Sequence, residues 1–340
     1  MRKHKRKSYL FSATTLFLVC LGLVLIVGHR QVVAAASTPG YTITVTTSVP
    51  SANCNGLNAF GQTTGQINGT GGYFAMVNTD DVITNLGSLN GSQGSVGQAL
   101  NNSAQVVGWS YINDSSFVTH NFLYSGGKMI DLSPFNFIDY SAGNIINNSG
   151  AVAGYSTTGS TTLATVYSGG KLTTLGTLPG AASSVAVGIN DNGNVTGGSG
   201  GDAFLYKNGV MENLGQVGTS NTIGYLINDS DQIAGTPLFL YSNGKISAIT
   251  PISGAATSVP LGINSSGVIV GDSTEKINKV VKTFPFISFG GSAAVNVNTL
   301  LTANSGWVLT TATGIDNDGR ISGVGSKNNG TDVCYLMTPE

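Results

Sequence analysis

Asp131, Asp139, Asp202, Glu212, Asp272 and Glu275 are the side chains of this chain best suited to acid–base chemistry. Two carboxylates facing each other across a sugar can hydrolyse a glycoside, one as acid and the other as base or nucleophile. These six are scattered along the chain, and their spacing does not pair them. Other chemistries fail by counting. Beyond residue 36 there is one histidine, His120, so no His-based metal or acid–base site can recur along the chain. Arg320 is the only arginine there, which excludes an arginine cluster for an anionic sugar. No G-x-S-x-G, H-E-x-x-H or Walker pattern occurs. "DNDGR" at 316–320 has two carboxylates and the glycine of a calcium loop, but not the closing bidentate Glu. It is expected to be a plain turn, and no metal or cofactor is expected.

The elements that would position these residues are written in a repeat. One phrase, "INDNGNVTG" at 189–197, recurs as "LNAFGQTTG" (57–65), "LNNSAQVVG" (100–108), "INNSGAVAG" (146–154), "INDSDQIAG" (227–235), "INSSGVIVG" (263–271) and "IDNDGRISG" (315–323). A second phrase such as "AFLYKNGVMENLG" follows most copies. Each reads as a β-hairpin. The Asn bonds its own backbone in an Asx turn, and the Gly supplies a left-handed position. Ala104 and Asp231 stand where that Gly is expected, and Ala104 should either carry strain or adopt another turn. The Gly that ends the phrase should let a neighbouring sheet approach closely. Four short strands, a to d, in each repeat of about 40 residues predict a propeller blade. The fold class is therefore all-β, a β-propeller of four-stranded antiparallel blades. Seven blades are preferred, with six or eight as alternatives. "YTITVTTSV" from Tyr41 is an unpaired strand before the first phrase, and the chain ends on a strand c, "CYLMTP". Tyr41–Val49 is expected to pair with Cys334–Thr338 and close the ring.

The first 36 residues fall outside this pattern. A basic "MRKHKRK", an apolar "YLFSATTLFLVCLGLVLIVG" and "VVAAAS" have the order of a signal peptide cleaved after Ala36, with an uncleaved membrane anchor as the alternative. Residues 37–340 are expected to be one propeller domain. They carry 9 basic and 16 acidic side chains, a net charge of −7, so a nucleic-acid partner is not expected. Cys54 and Cys334 are the cysteines beyond this segment. They lie in blades that a closed ring makes neighbours and can form a disulfide in an exported protein. The alternative is two thiols, because Cys54 lies near an inner strand and Cys334 near an outer one.

"INNSGxVxG" followed by "AFLYSxGxMxxLGxL" resembles the extracellular HAF repeat, named for a His-Ala-Phe triplet. The triplet survives here as "HNF" at 120–122 and as "AF" at 203–204. "LLTANSGWVLTTATGIDNDGRISGVG" from Leu300 is similar to the closing repeat of such proteins. The resemblance covers 41–340. It implies a secreted or cell-surface bacterial protein and brings no established catalytic residues.

Strands a and c run the same way, so the a–b and c–d turns share one face and the b–c and d–a connections share the other. The first set is monotonous and the second varies from blade to blade. Binding sites concentrate in variable loops on a rigid scaffold. Tyr111, Asn113, Asp114, His120, Lys276 and Trp307 on the variable face are the candidate contacts. Tyr and Trp suit a sugar or a protein partner, while Trp307 could instead pack between blades. The expected function is a monomeric, non-catalytic extracellular binding or adhesion module for a glycan or protein. It would meet a membrane only through an uncleaved N-terminal segment. The alternative is a carbohydrate-active hydrolase or lyase using carboxylates on the same face.

Overall fold

A computed structural model describes residues 40–47, 53–113, 118–137 and 145–340. The expected signal segment, Asp114 and Asp139 lie outside the described residues. The described chain is a seven-bladed β-propeller of antiparallel sheets. Blades 1 to 6 run through 53–87, 95–131, 135–176, 184–215, 223–248 and 257–296, each in the order a-b-c-d from the inside outward. The seventh is built from two distant segments. Its strand a comes in two pieces, Trp307–Leu309 and Gly314–Ile315, followed by Ile321–Lys327 and Val333–Pro339. Tyr41–Thr47 takes the outermost place, paired from Tyr41↔Pro339 to Thr47↔Cys334. Helical structure among the described residues is limited to two 3₁₀ turns, Leu89–Gly91 and Val297–Leu300.

The turns follow from residue type. Six c–d turns place two successive residues at positive φ, among them Gly126–Gly127, Asn208–Gly209 and Asn243–Gly244. That is the mirror-image turn that suits the twist of a two-residue hairpin. In the a–b turns, Gly150, Gly193, Gly267 and Gly319 sit at φ near +80°. Ala104 and Asp231 take the same conformation, at φ 54° and 57°, so Ala104 keeps the common turn and bears its strain.

The core lies between blades. Strand c contributes Phe122, Phe204, Phe239, Phe286 and Tyr335, all fully buried. The glycine that ends the phrase makes room within its own blade, not for a neighbouring sheet. A Cβ on Gly108, Gly197, Gly235 or Gly271 would collide with the carbonyl of Val96, Val185, Ile223 or Val259 in strand a. It would also meet the ring of Phe122, Phe204, Phe239 or Phe286. The reason is a bulge: register shifts next to this point in strand a, between Ala186 and Gly188 for example, and the bulged backbone leans over strand b.

Cys54 and Cys334 are joined by a disulfide with Cα atoms 5.8 Å apart. The bond links strand a of blade 1 to strand c of blade 7, buried beside Met76, Ile67 and Ile83.

Candidate functional site

The two faces use their polar residues differently. On the a–b face, seven turns surround the mouth of the central channel, a cavity of about 160 Å³. In each turn the first polar residue caps its own loop. Asn58, Asn101, Asn147, Asn228, Asn264 and Asp316 each accept, through Oδ1, the backbone N–H groups two and four residues ahead. Asn190 accepts the N–H of Asn194. The amide nitrogen then reaches the next blade. Nδ2 of Asn58, Asn101, Asn147, Asn190, Asn228 and Asn264 donates to the carbonyl of its counterpart one blade on, at 2.9–3.2 Å.

At the seventh station Asp316 has no amide to donate. Arg320 substitutes: Nε donates to Asp316 Oδ2 at 2.6 Å, and Nη2 donates to the Ala59 carbonyl of blade 1 at 2.8 Å. A second, incomplete course runs outside the first. Oδ1 of Asn102, Asn148, Asp191, Asp229 and Asn317 accepts the backbone N–H of Ala59, Asn102, Asn148, Asp191 and Ser265 respectively. Asp231 binds Asn190 and Asn194 through Oδ1 and Lys207 through Oδ2, across blades 4 and 5. Burial opposes its ionisation, yet the hydrogen bonds from Lys207 and Asn194 outweigh it and hold the carboxyl below the usual range. The repeated turn residues are thus occupied in holding blades together.

On the b–c face a blade-to-blade bond recurs at Ser95 and Ser184, which accept the N–H groups of Ala75 and Ala164, while the loop side chains beyond them differ from blade to blade. Tyr111 ends strand b of blade 2 beside Trp109, and Tyr73 of blade 1 joins them. The ring centroids are 5.5–6.4 Å apart, all in edge-to-face geometry. The Tyr73 hydroxyl lies 3.2 Å from that of Tyr111. Gly94 sits between the two tyrosines, where a Cβ would fall on the Tyr111 ring. All three aromatics are half-buried, and Asn113 follows them, exposed. His120 is on the neighbouring strand, with Nδ1 2.7 Å from Asp131 Oδ2. Asp131 Oδ1 also accepts the Ser133 N–H.

The candidates do not form one site. Tyr111, Asn113 and His120 belong to blade 2, but Lys276 is in blade 6 and Trp307 in blade 7. Trp307 packs against the core shared by blades 6 and 7, and Lys327 Nζ lies 6.0 Å from its ring centroid. Tyr73 and Lys327 were not among the sequence candidates, and Asp131 was one only as a scattered carboxylate, not as a partner of His120. Tyr73 opens a strand c in the poorest repeat, and nothing in sequence places it beside Tyr111.

The carboxylates remain dispersed. Asp131 belongs to blade 2, Asp202 and Glu212 to blade 4, and Asp272 and Glu275 to blade 6. Asp202 accepts from Asn213. Asp272 lies at the junction of blades 6 and 7 and accepts the Ala312 N–H at 2.9 Å. Burial pushes its carboxyl up to about 7, against the opposing pull of that N–H. Among the described residues no group of three or more His, Cys, Asp or Glu side chains could hold a metal ion.

No protein-family model matches the chain, and no curated protein is similar to it. Among solved structures, a gluconolactonase from Xanthomonas campestris is similar over 90% of this chain and 96% of its own, at 10% identity and a TM-score of 0.39. A likeness this distant does not bear on chemistry.

Proposed function

We propose that the chain is an exported, non-catalytic binding module that engages an extracellular glycan or protein through its b–c face. The observation that carries this reading is the contrast between faces. On the a–b face the repeated amides are consumed in blade-to-blade bonds. On the b–c face three aromatic rings brace one another at a blade junction, next to Asn113 and the His120–Asp131 pair. Rigid aromatics with polar tips present contact area at low entropic cost. The order of the N-terminal segment and the likeness to HAF repeats support export.

A screen of residues 37–340 against glycans and cell-wall fractions tests it. Trp109→Ala and Tyr111→Ala are each expected to weaken a hit about ten-fold, the scale of one lost aromatic contact. Binding that survives replacement of all the b–c loops refutes the choice of face. The competing reading, a carbohydrate-active enzyme, is favoured by Asp272, whose carboxyl is held near neutral pH as a general acid requires. Turnover of a hit that Asp272→Asn abolishes, with folding intact, would replace the binding-module reading.

A further inference from the structure

Blade 6 has the longest b–c hairpin of the molecule. Its strands, Val268–Ile277 and Val280–Phe289, have 10 residues each, against 4 to 8 for strands b and c of the other blades. The base is anchored: Thr257 pairs with Thr274, and the Ala256 N–H donates to the Thr274 carbonyl at 2.7 Å. Beyond that level the two strands pair only with each other, through Glu275↔Lys282, Lys276↔Val281 and Ile277↔Val280. Asn278 and Lys279, both at positive φ, close the turn. Strand d of this blade covers only Phe286 and Ile287, so among the described residues the outer edge of 280–285 has no partner strand.

The tip is apolar and cationic together. Val280 is 58% exposed and Val281 65%. Lys276, Lys279 and Lys282 stand against Glu275 alone, a local charge of +2 on a chain that carries −7 beyond residue 36. Successive residue pairs of a hairpin point to opposite faces. Ile277 and Val280 therefore lie on one face and Val281 on the other, with lysines flanking both.

We propose that this tip docks on an anionic lipid bilayer, the valines entering the headgroup–acyl boundary and the lysines meeting lipid phosphates. This goes beyond the glycan or protein ligand proposed above, does not depend on it, and departs from the sequence expectation that a membrane is met only through the N-terminal segment. A protein groove would cover one face of the hairpin, whereas a bilayer interface surrounds both. Three residue pairs span about 10 Å, which matches the depth to which interfacial apolar groups are buried. Strand addition at the open edge is opposed by Lys282 and Pro285, residue types that blunt such edges.

The test is cosedimentation of residues 37–340, which hold every described strand, with phosphatidylcholine vesicles, with or without roughly a third phosphatidylglycerol. The expected result is binding to the anionic vesicles at least about ten-fold tighter than to neutral ones, weakened by salt. Replacing all three lysines with Gln is expected to weaken it about a hundred-fold. Val280→Thr with Val281→Thr, which keeps β-branched side chains in the strand, is expected to weaken it about ten-fold. Melting temperatures unchanged from the parent exclude misfolding. No binding by the parent chain, equal binding to neutral vesicles, or binding that either variant retains in full overturns the proposal. Retention by the valine variant alone would mean mere attraction of a polycation to a polyanion.

Discussion

Ala104 is the one non-polar side chain at a left-handed position of the a–b turns, at φ 54°. Its neighbours in the repeat use Gly or, once, Asp. Ala104→Gly is expected to stabilise the protein by about 1 kcal/mol, read as a higher melting temperature. Asp272 makes a prediction about pH. Its carboxyl rises from an ordinary 3.8 to about 7 on folding, so the folded state holds a proton that the unfolded state releases. The associated stability is full below pH of about 4 and is lost as pH rises to about 7, with a ceiling of about 4 kcal/mol. Asp272→Asn keeps an acceptor for Ala312 and should flatten the denaturation profile across that window. The Asx turns were legible, because an Asn bonding its own loop is a local event. The donation from Nδ2 to the next blade was not, since sequence does not say which carbonyl lies beside which turn.

At the scale of the strand, the phrase-ending glycine is the most constrained position in a blade. Gly235 has the Ile223 carbonyl on one side and the Phe239 ring on the other, and a methyl group fits neither. Gly235→Ala is expected to cost about 3 kcal/mol, measured by chemical denaturation, because a bulge and a buried aromatic must both move. A cost below about 0.5 kcal/mol would mean that the bulge is soft. The need for close packing here could be read from the repeat. What approached could not, because bulges in strand a leave no mark that distinguishes them from regular alternation. The aromatic trio escaped for a related reason: Tyr73 and Tyr111 are 38 residues apart, and only the blade junction joins them.

For the whole molecule, seven blades were legible as the preferred count over six or eight, and the structure has seven because each copy of the phrase makes one sheet. The placing of site candidates was not, because positions on different blades are separated by the curvature of the ring. The junction of blades 7 and 1 differs from the others in being held by Arg320, by the Thr313 hydroxyl on the Cys54 carbonyl at 2.8 Å, and by a disulfide across 280 residues. Cross-linking so long a loop restricts the unfolded chain by up to about 5 kcal/mol. Replacing Cys54 and Cys334 with Ala should lower stability by about 3–5 kcal/mol under oxidising conditions and abolish any effect of reductant. Deleting 37–50 strips the outer strand from blade 7 and should lower the melting temperature well beyond the loss of an unstructured tail. An unchanged melting temperature would show that this strand does not contribute to closure.

The Glu340 N–H donates to the Gly40 carbonyl at 2.8 Å. These residues stand where every other blade has its two-residue c–d turn. To the folding forces, then, residues 40–340 are a loop of thread with a single cut, and the place of the cut is arbitrary. Rejoining Glu340 to Gly40 through Asn-Gly would restore the missing turn, and new ends could be opened at the exposed Gly159–Ser160 turn of blade 3. Such a rewired chain is expected to reach the same seven-bladed ring, with blade 7 now made from one continuous stretch. It would tolerate loss of the disulfide better than the parent does, because the seam moves to blade 3 and the Cys54–Cys334 bond then closes a loop of only about 23 residues, which constrains the unfolded chain less.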